Sequence, residues 1–298
     1  MVQKEKKTWT VLDLLEWTTG YLLQKNFASP RLNVEWLLGD TLGYKRVELY
    51  MNADRPLSTN ELSAFKEKLN RRLQHEPLQY IVGATEFMGL AFNVSPDVLI
   101  PRPDTEILVE KTLEICKLFS DSIHMLDIGT GSGAIAVSLA YFLKRKRGDF
   151  SITAIDQSEA ALRVAKMNAE KNGILSLIDF RLCDIMENID SLGHSFDVIV
   201  SNPPYISANE FDLLPEEIRN FEPEKALRGG DDGLAFYRRI AAIAGKLFKT
   251  SGQRRFLVLE IGYDQAEAVK KILIENYFHE VDIINDFENH PRVVIATM

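Results

Sequence analysis

The chain has 298 residues, of which 46% are hydrophobic and 26% are charged, and this composition is typical of a water-soluble globular protein. No apolar run approaches the roughly 20 residues of a membrane span, and the charged start MVQKEKKTWT lacks the apolar segment of a signal peptide. The two cysteines, Cys116 and Cys183, are far apart and lack metal-ligand spacing, so we expect no metal site and a cytoplasmic location.

The net charge of −8 is unevenly distributed along the chain. Residues 1–76 carry 12 basic and 10 acidic side chains, whereas the remainder carries 23 basic and 33 acidic ones. Because contacts to phosphates dominate affinity for duplex DNA, the acidic remainder argues against duplex nucleic acid as the main partner.

Residues 1–76 are predicted to form a small helical domain. Apolar residues recur at helical spacing, Pro30 after Ser29 marks a helix start, and Ser58 with Glu61 forms a capping box. Nothing here has catalytic spacing, so we interpret this domain as a module that docks a protein substrate.

Residues 77–96 are predicted to be a β-hairpin linker, with its turn at Met88 and Gly89. Residues 97–298 then alternate between strands and helices, which predicts an α/β domain with a mostly parallel sheet.

The segment 123–134 predicts a strand, a glycine-rich turn and a helix start. The glycines Gly129, Gly131 and Gly133 allow the backbone to approach a ligand closely at the amino end of the helix. The same spacing satisfies a dinucleotide-binding fingerprint, so this loop alone does not decide the ligand.

The next strands carry acidic residues at their carboxyl ends. Asp156 follows one strand and is placed to accept hydrogen bonds from ribose hydroxyls, while Asp184 follows another and could accept from an adenine amino group. Ile185 could pack against the adenine ring. With Asp127 before the glycine turn, these residues predict one crevice for a ligand that contains a nucleoside.

The apolar run 196–200 predicts a buried strand that ends in Asn202-Pro203-Pro204-Tyr205. The Asn202 amide oxygen and the Pro203 carbonyl can each accept one hydrogen of a planar –NH2 group, while the Tyr205 ring covers its face. We therefore predict that this loop binds and orients a planar amide or amine.

Together these motifs resemble the HemK/PrmC family of peptide chain release factor protein-(glutamine-N5) methyltransferases. The matching segments are DIGTGSG at 127–133, IPRPDTE at 100–106, NPPYI at 202–206, EPEKAL at 222–227, GGDDGLAFYRRI at 229–240, LEIGYDQ at 259–265 and HPRVVIA at 290–296. One departure is Asn33, where the family has an aspartate.

The resemblance implies a class I, Rossmann-like methyltransferase domain with a mostly parallel seven-stranded sheet. It implies S-adenosyl-L-methionine as methyl donor and S-adenosyl-L-homocysteine as product. Donor contacts are then expected from Asp127, Gly129, Thr130, Gly131, Ser132, Gly133, Asp156, Asp184, Ile185 and Asn202. Catalysis is expected from Asn202, Pro203 and Tyr205, with Pro204 completing the substrate loop.

The implied substrate is the glutamine of a Gly-Gly-Gln motif in class I release factors. Two alternatives keep the same chemistry: a ribosomal-protein glutamine methyltransferase, and an adenine-N6 DNA methyltransferase, which would flip its base. A dinucleotide-dependent oxidoreductase leaves the NPPY loop without a use, and a non-catalytic binding protein leaves both loops unexplained.

Overall fold

The computed structural model describes residues 8–146, 148–187, 189–193, 195–249 and 254–298. The charged start of the chain, residues 1–7, lies outside these ranges. The chain divides into two compact units, one that ends at Gly83 and one that runs from Ala84 to Met298. None of the helices in the described ranges is long and apolar enough to cross a lipid bilayer.

The described part of the first unit contains five helices. Helices α1 to α5 are Val11–Gln24, Pro30–Leu42, Arg46–Met51, Thr59–Leu73 and Leu78–Val82. The predicted capping box is confirmed at Ser58 and Glu61, where each side chain accepts a hydrogen bond from the backbone N–H of the other. Pro30 begins α2 as predicted, but Ser29 adopts a left-handed conformation and its side chain makes no capping hydrogen bond. Proline alone therefore marks this helix start.

A polar cluster lies inside the helical unit. Asn33 is buried in α2, and its Oδ1 accepts a hydrogen bond of 2.6 Å from Nε of Arg72, which is itself buried in α4. The Asn33 Nδ2 donates to the carbonyls of Ala28 and Ser29, at 2.9 and 3.0 Å. Because an aspartate could not donate these two hydrogen bonds, the asparagine suits this site although the family pattern has a carboxylate.

The second unit begins with a hairpin and continues as an α/β sandwich. Strands β1 to β9 are Ala84–Phe87, Leu90–Asn93, Ile123–Ile128, Phe150–Asp156, Ile178–Leu182, Val198–Ser201, Phe256–Glu260, His279–Asn285 and Pro291–Thr297. Helices α6 to α12 are Thr105–Cys116, Ala134–Lys144, Glu159–Lys171, Ala208–Phe211, Glu216–Phe221, Ala235–Leu247 and Ala266–Glu275.

The hairpin of β1 and β2 turns at Met88 and Gly89, which both have positive φ, as in the tight turns that match strand twist. The residues of the predicted linker 77–96 are divided between the two units. Its first part forms α5 in the helical unit, while the hairpin residues Phe87, Leu90 and Phe92 join the core of the second unit. Burial of these side chains explains why the chain divides at Gly83 rather than after the hairpin.

Strands β3 to β9 form one seven-stranded sheet in the order β5-β4-β3-β6-β7-β9-β8. The strands from β5 to β7 pair in parallel, and β9 pairs antiparallel with both of its neighbours. The mostly parallel seven-stranded sheet predicted from the resemblance is therefore confirmed.

Both faces of the sheet are covered by helices. Alternate residues of β6 point to opposite sides: Val198 and Val200 pack in a core with α6 and α7, and Ile199 packs in a core with α11 and α12. Burial on both faces explains why the parallel strands are apolar throughout rather than alternating with polar residues.

The Asn33 cluster allows a test of the stability of the helical unit. We expect Asn33→Ala to lower the free energy of unfolding of this unit by about 2 kcal/mol, because the buried Arg72 guanidinium loses an acceptor. The chain has three tryptophans, and Trp9, Trp17 and Trp36 all precede Gly83. Tryptophan fluorescence during urea titration therefore reports on this unit alone.

Asp40→Asn is the matched control, because it breaks an ion pair with Lys68 at the surface of the same unit. Its cost should stay below about 1 kcal/mol. Equal losses of stability in the two variants would show that the Asn33 cluster contributes no more than a surface contact.

Candidate active site

The loops after β3 and β6 leave the sheet side by side. The strands pair in parallel with Ile128 opposite Ser201, so the glycine turn and Asn202 both begin one residue beyond this pair. The Ser201 hydroxyl donates a hydrogen bond of 2.7 Å to the Ile128 carbonyl, which fastens the two strand ends together. The strand order reverses here, and ligands of open α/β sheets bind at such switch points.

A cavity of about 710 Å³ lies at this edge of the sheet. It brings together eight of the predicted site residues: Gly129, Gly131, Asp156, Asp184, Ile185, Asn202, Pro203 and Pro204. The other predicted residues do not line it, namely Asp127, Thr130, Ser132, Gly133 and Tyr205. The two loops and the two acidic strand ends therefore meet at one cavity.

Asp127 lies beneath the glycine loop rather than on the cavity wall. It is fully buried, and its Oδ2 accepts hydrogen bonds from the Thr130 hydroxyl at 2.7 Å and the Ala136 N–H at 3.2 Å. Burial, only partly opposed by these two hydrogen bonds, raises the pKa of Asp127 to about 7. In this position Asp127 fixes the shape of the turn, and a direct contact with a donor stays a prediction.

Asp156 does line the cavity, at the end of β4. Its Oδ2 accepts from the Gly131 N–H at 2.8 Å and its Oδ1 from the Ser158 N–H at 2.9 Å. Burial raises the pKa of this carboxyl above its ordinary value. Each carboxylate oxygen has more than one lone pair, so Asp156 can support the glycine loop and still accept hydrogen bonds from a ligand.

The third side of the cavity combines Asp184 with an apolar surface. The Asp184 carboxylate accepts the Met186 N–H at 2.8 Å, and Ile185 is buried next to it. Arg239 holds this turn in place, because its Nε donates to the Ile185 carbonyl at 2.5 Å. This contact gives a structural role to Arg239, which lies in the matched segment GGDDGLAFYRRI and had no role predicted from the sequence.

Several further residues line the cavity that were not predicted individually: Val98, Leu99, Pro223, Glu224, Lys225, Ala226, Arg228 and Phe236. The segments IPRPDTE and EPEKAL, which match the family, lie in or beside this wall, so their match was the sequence feature that pointed to it. Buried Glu222 pairs with Arg102 and so fastens the two segments to each other. Spacing alone could not show that residues so far apart in sequence form one wall.

Asn202 has one end of its amide fixed and the other free. Its Nδ2 donates a hydrogen bond of 3.2 Å to the hydroxyl of Thr105, the first residue of α6. Within the described ranges, neither the Asn202 Oδ1 nor the Pro203 carbonyl accepts a hydrogen bond. Two unused acceptors therefore lie on adjacent residues that line the cavity.

Tyr205 lies behind the loop instead of over the cavity. Its ring packs against the core that includes α11, and burial raises its pKa to about 12, with Glu260 contributing. Its carbonyl accepts a hydrogen bond of 2.9 Å from Gln265. Tyr205 thus anchors the loop, and its predicted role as a cover for the substrate stays untested.

The GGDDGL segment packs directly against the substrate loop. A Cβ placed on Gly229 would come within 2.7 Å of the Pro204 carbonyl oxygen, and one on Gly233 would fall on the Tyr205 carbonyl oxygen. The Gly229 N–H also donates to the Ile206 carbonyl at 2.9 Å. Glycine is therefore required here because the two backbones touch.

A buried carboxylate lies next to Asn202 that the sequence did not single out. Glu260 ends β7 and is 3% exposed, and its Oε2 has no hydrogen-bond partner among the described residues. Burial raises its pKa to about 7, although hydrogen bonds from the side chains of Thr105 and Asn202 favour the charged form.

Comparison with known proteins gives consistent results across the chain. Residues 13–83 match the family model described as the PrmC N-terminal domain, and residues 119–240 match a methyltransferase domain. The release factor glutamine methyltransferase of Geobacter sulfurreducens is 41% identical over 98% of both chains. That of Chlorobaculum tepidum is 39% identical over 97% of both chains.

A solved methyltransferase structure from Pyrococcus furiosus shares the fold. It aligns with a TM-score of 0.50 and 19% identity, over 78% of this chain and 98% of the other.

The buried Asp127 carboxyl predicts an unusual dependence of stability on pH. Its pKa of about 7 in the folded state exceeds the roughly 3.9 of an unfolded aspartate, so the folded state binds more protons between these values. Asp127 therefore stabilises most below the unfolded pKa, and this contribution is lost as pH rises through about 7.

We expect the fall in Tm between about pH 5 and about pH 7.5 to be smaller in Asp127→Asn than in the parent protein. Differential scanning calorimetry of each protein without ligand measures Tm at each pH. Asp232→Asn is the control, because Arg238 lowers the pKa of Asp232 to about 2, far below this range. An unchanged slope in Asp127→Asn would show that Asp127 is ionised throughout.

The close backbone contact at Gly233 predicts a second effect on stability. Gly233 and Gly173 both have positive φ, but a Cβ at Gly173 meets open space. Gly173→Ala should therefore cost about 1–2 kcal/mol from backbone strain alone. Gly233→Ala should cost about 1–3 kcal/mol more, because the added methyl displaces the loop.

Urea unfolding followed by circular dichroism compares the two alanine variants. Equal costs at Gly233 and Gly173 would contradict the close contact between the GGDDGL segment and the substrate loop.

Proposed function

The chain belongs to the release factor glutamine methyltransferase family, and we propose that it methylates the side-chain amide nitrogen (N5) of the glutamine in the Gly-Gly-Gln motif of class I peptide chain release factors. S-adenosyl-L-methionine is the proposed donor. The observation that carries this proposal is the pair of free acceptors, the Asn202 Oδ1 and the Pro203 carbonyl, on the wall of one cavity with the glycine loop.

The residues of the cavity fit the donor. Gly129 and Gly131 have no side chains and line the cavity, so a donor can approach the backbone of this loop closely, and Asp156 suits ribose hydroxyls. Asp184 suits an adenine amino group, while buried Ile185 offers an apolar surface for the ring. When bound, S-adenosyl-L-methionine supplies an electrophilic methyl group and becomes S-adenosyl-L-homocysteine.

The protein's part in the reaction is to orient a poor nucleophile. The lone pair of a carboxamide nitrogen is delocalised into its carbonyl group, so alignment matters more than affinity. The Asn202 Oδ1 and the Pro203 carbonyl can accept the two N–H groups and turn the face of the nitrogen toward the donor. Alignment of this kind lowers barriers by about 7–11 kcal/mol in well-oriented intramolecular reactions.

The substrate nitrogen must also lose a proton in the reaction. An amide nitrogen becomes strongly acidic once it is alkylated, so a strong base is not needed before transfer. The two amide oxygens orient the N–H groups but are too weakly basic to keep the proton, which passes to water as or after the methyl group is transferred.

The shape of the site favours a glutamine that follows glycines. Pro203 is buried, and Gly229 and Gly233 pack closely against the backbone of the loop. The two acceptors therefore lie in a recess whose shape is fixed. A segment without side chains before its glutamine can enter such a recess. We propose that the enzyme acts in the cytoplasm, with release factors as its partners.

Mass spectrometry of substrates after incubation with the enzyme and isotope-labelled donor tests the proposal. We expect label on a release factor, at the glutamine of its Gly-Gly-Gln motif. The comparison substrates are ribosomal proteins and a DNA duplex, which represent the two alternatives with the same chemistry. Label on either of these, with none on the release factor, would overturn the assignment.

Substitution of Asn202 tests the role of the loop. Asn202→Ala should reduce kcat about a hundredfold, because the substrate amide loses an acceptor and its alignment. Affinity for S-adenosyl-L-homocysteine, measured by calorimetry, should change little because the glycine loop and Asp156 remain. Asn202→Asp keeps an acceptor oxygen but adds a negative charge. Its kcat therefore shows whether the loss in Asn202→Ala comes from the missing acceptor.

Asn276→Ala is the matched control, since Asn276 caps α12 away from both loops. Its kcat should equal that of the parent enzyme. Parental kcat in Asn202→Ala at saturating donor would exclude the Asn202 side chain from catalysis.

A further inference from the structure

The orientation of the Asn202 amide has to be selected. The oxygen and nitrogen ends of an asparagine side chain have nearly the same shape, so packing does not distinguish them. Hydrogen-bond partners behind the side chain decide which end faces the cavity. In this structure the nitrogen end points to the Thr105 hydroxyl, at 3.2 Å.

Thr105 alone cannot enforce this orientation. A hydroxyl group both donates and accepts, so it could equally accept from the Asn202 Nδ2 or donate to the Oδ1. A carboxylate behind the hydroxyl removes this ambiguity, because an ionised carboxylate only accepts. Glu260 supplies that carboxylate, and hydrogen bonds from Thr105 and Asn202 both favour its charged form.

The hydrogen bonds then run in one direction. The Asn202 Nδ2 donates to the Thr105 hydroxyl, and the side chains of Thr105 and Asn202 both donate to Glu260. We propose that Glu260 is a positioning residue, which acts on the Asn202 amide directly and through Thr105 to keep the Asn202 oxygen toward the cavity and so selects substrates that present an N–H group. The inference rests on the proposed function, because it explains how the loop selects the nitrogen end of a carboxamide.

A reversed Asn202 would present its own –NH2 group to the cavity. It would then donate to the oxygen of a substrate carboxamide and turn the substrate nitrogen away from the donor. Loss of the Glu260 charge should therefore affect alignment rather than folding or donor binding.

The charged groups near Glu260 have opposing effects on its pKa. Asp104 raises its pKa and Arg292 lowers it, and Arg292 is also paired with Asp104, at 3.2 Å. The phenols of Tyr205 and Tyr237 are the other titratable groups influenced by Glu260. Burial dominates and sets the pKa at about 7, so the carboxylate can lose its charge in a mildly acidic solution.

Nuclear magnetic resonance of the Asn202 side-chain amide tests the proposal without a release factor. Full-length enzyme labelled at asparagine nitrogen is saturated with S-adenosyl-L-homocysteine, and Asn202→Ala assigns the signal. We expect slow proton exchange at the parent Nδ2 and a signal that shifts from about pH 8 to about pH 6 as Glu260 is protonated. Glu260→Gln should abolish this shift with pH.

Variants of Thr105 keep the test valid if Glu260→Gln is poorly folded. Thr105→Val removes the hydroxyl and should speed proton exchange at Asn202, whereas Thr105→Ser keeps the hydroxyl and should restore the parental signal. In turnover assays on a release factor, Glu260→Gln and Thr105→Val should lower kcat about tenfold to a hundredfold, with little change in KM. Thr105→Ser should recover most of that loss.

Asp197→Asn is the matched control. Asp197 is a buried carboxylate that accepts from the His124 N–H at 2.8 Å and from Lys249 at 2.6 Å, and it immediately precedes β6, the strand that leads to Asn202. This variant should lower Tm while the Asn202 signal and kcat stay parental.

Two results would overturn the proposal. One is a parental Asn202 signal with parental pH dependence in both Glu260→Gln and Thr105→Val. The other is a loss of kcat that only follows the loss of Tm, as a purely structural role would give. If the parent enzyme fails to methylate a release factor, the proposed function fails, but the Asn202 signal still decides the role of Glu260.

Discussion

The parallel pairing of β3 with β6 is the constraint on which the site depends. It places Ile128 beside Ser201, so the glycine loop and the NPPY loop leave the sheet as neighbours although 73 residues separate them in sequence. Strands β4 and β5 lie on one side of this pair and β7 on the other, which opens a crevice at the strand ends. The two loops therefore lie side by side at one cavity where these two strands end.

The NPPY loop is held from behind by segments distant in sequence. Gln265 binds the Tyr205 carbonyl, Gly229 and Gly233 pack on the loop backbone, and Thr105 with Glu260 holds the Asn202 nitrogen. Burial of polar groups is costly unless they are paired, so each contact helps to fix one geometry. Among the described residues, the Asn202 Oδ1 and the Pro203 carbonyl accept no hydrogen bond, and both residues line the cavity.

Sequence patterns predicted the elements well and the contacts between them only in part. Apolar runs located β3, β5 and β6, and the residues at their ends identified both loops, because a strand end is a local property. The placement of Asp127 under the loop and of Tyr205 behind it depends on tertiary packing, which spacing does not encode. Glu260 was missed for the same reason: in the sequence it is one charged residue at the end of an apolar run, and the pairing of β6 with β7 brings it close to Asn202.

The most direct test of the account is a crystal structure of the full-length enzyme with S-adenosyl-L-homocysteine and a release factor. The account predicts that the nitrogen of the Gly-Gly-Gln glutamine lies within about 3 Å of both the Asn202 Oδ1 and the Pro203 carbonyl oxygen. A glutamine bound with its carboxamide oxygen toward Asn202, or bound away from the NPPY loop, would contradict it.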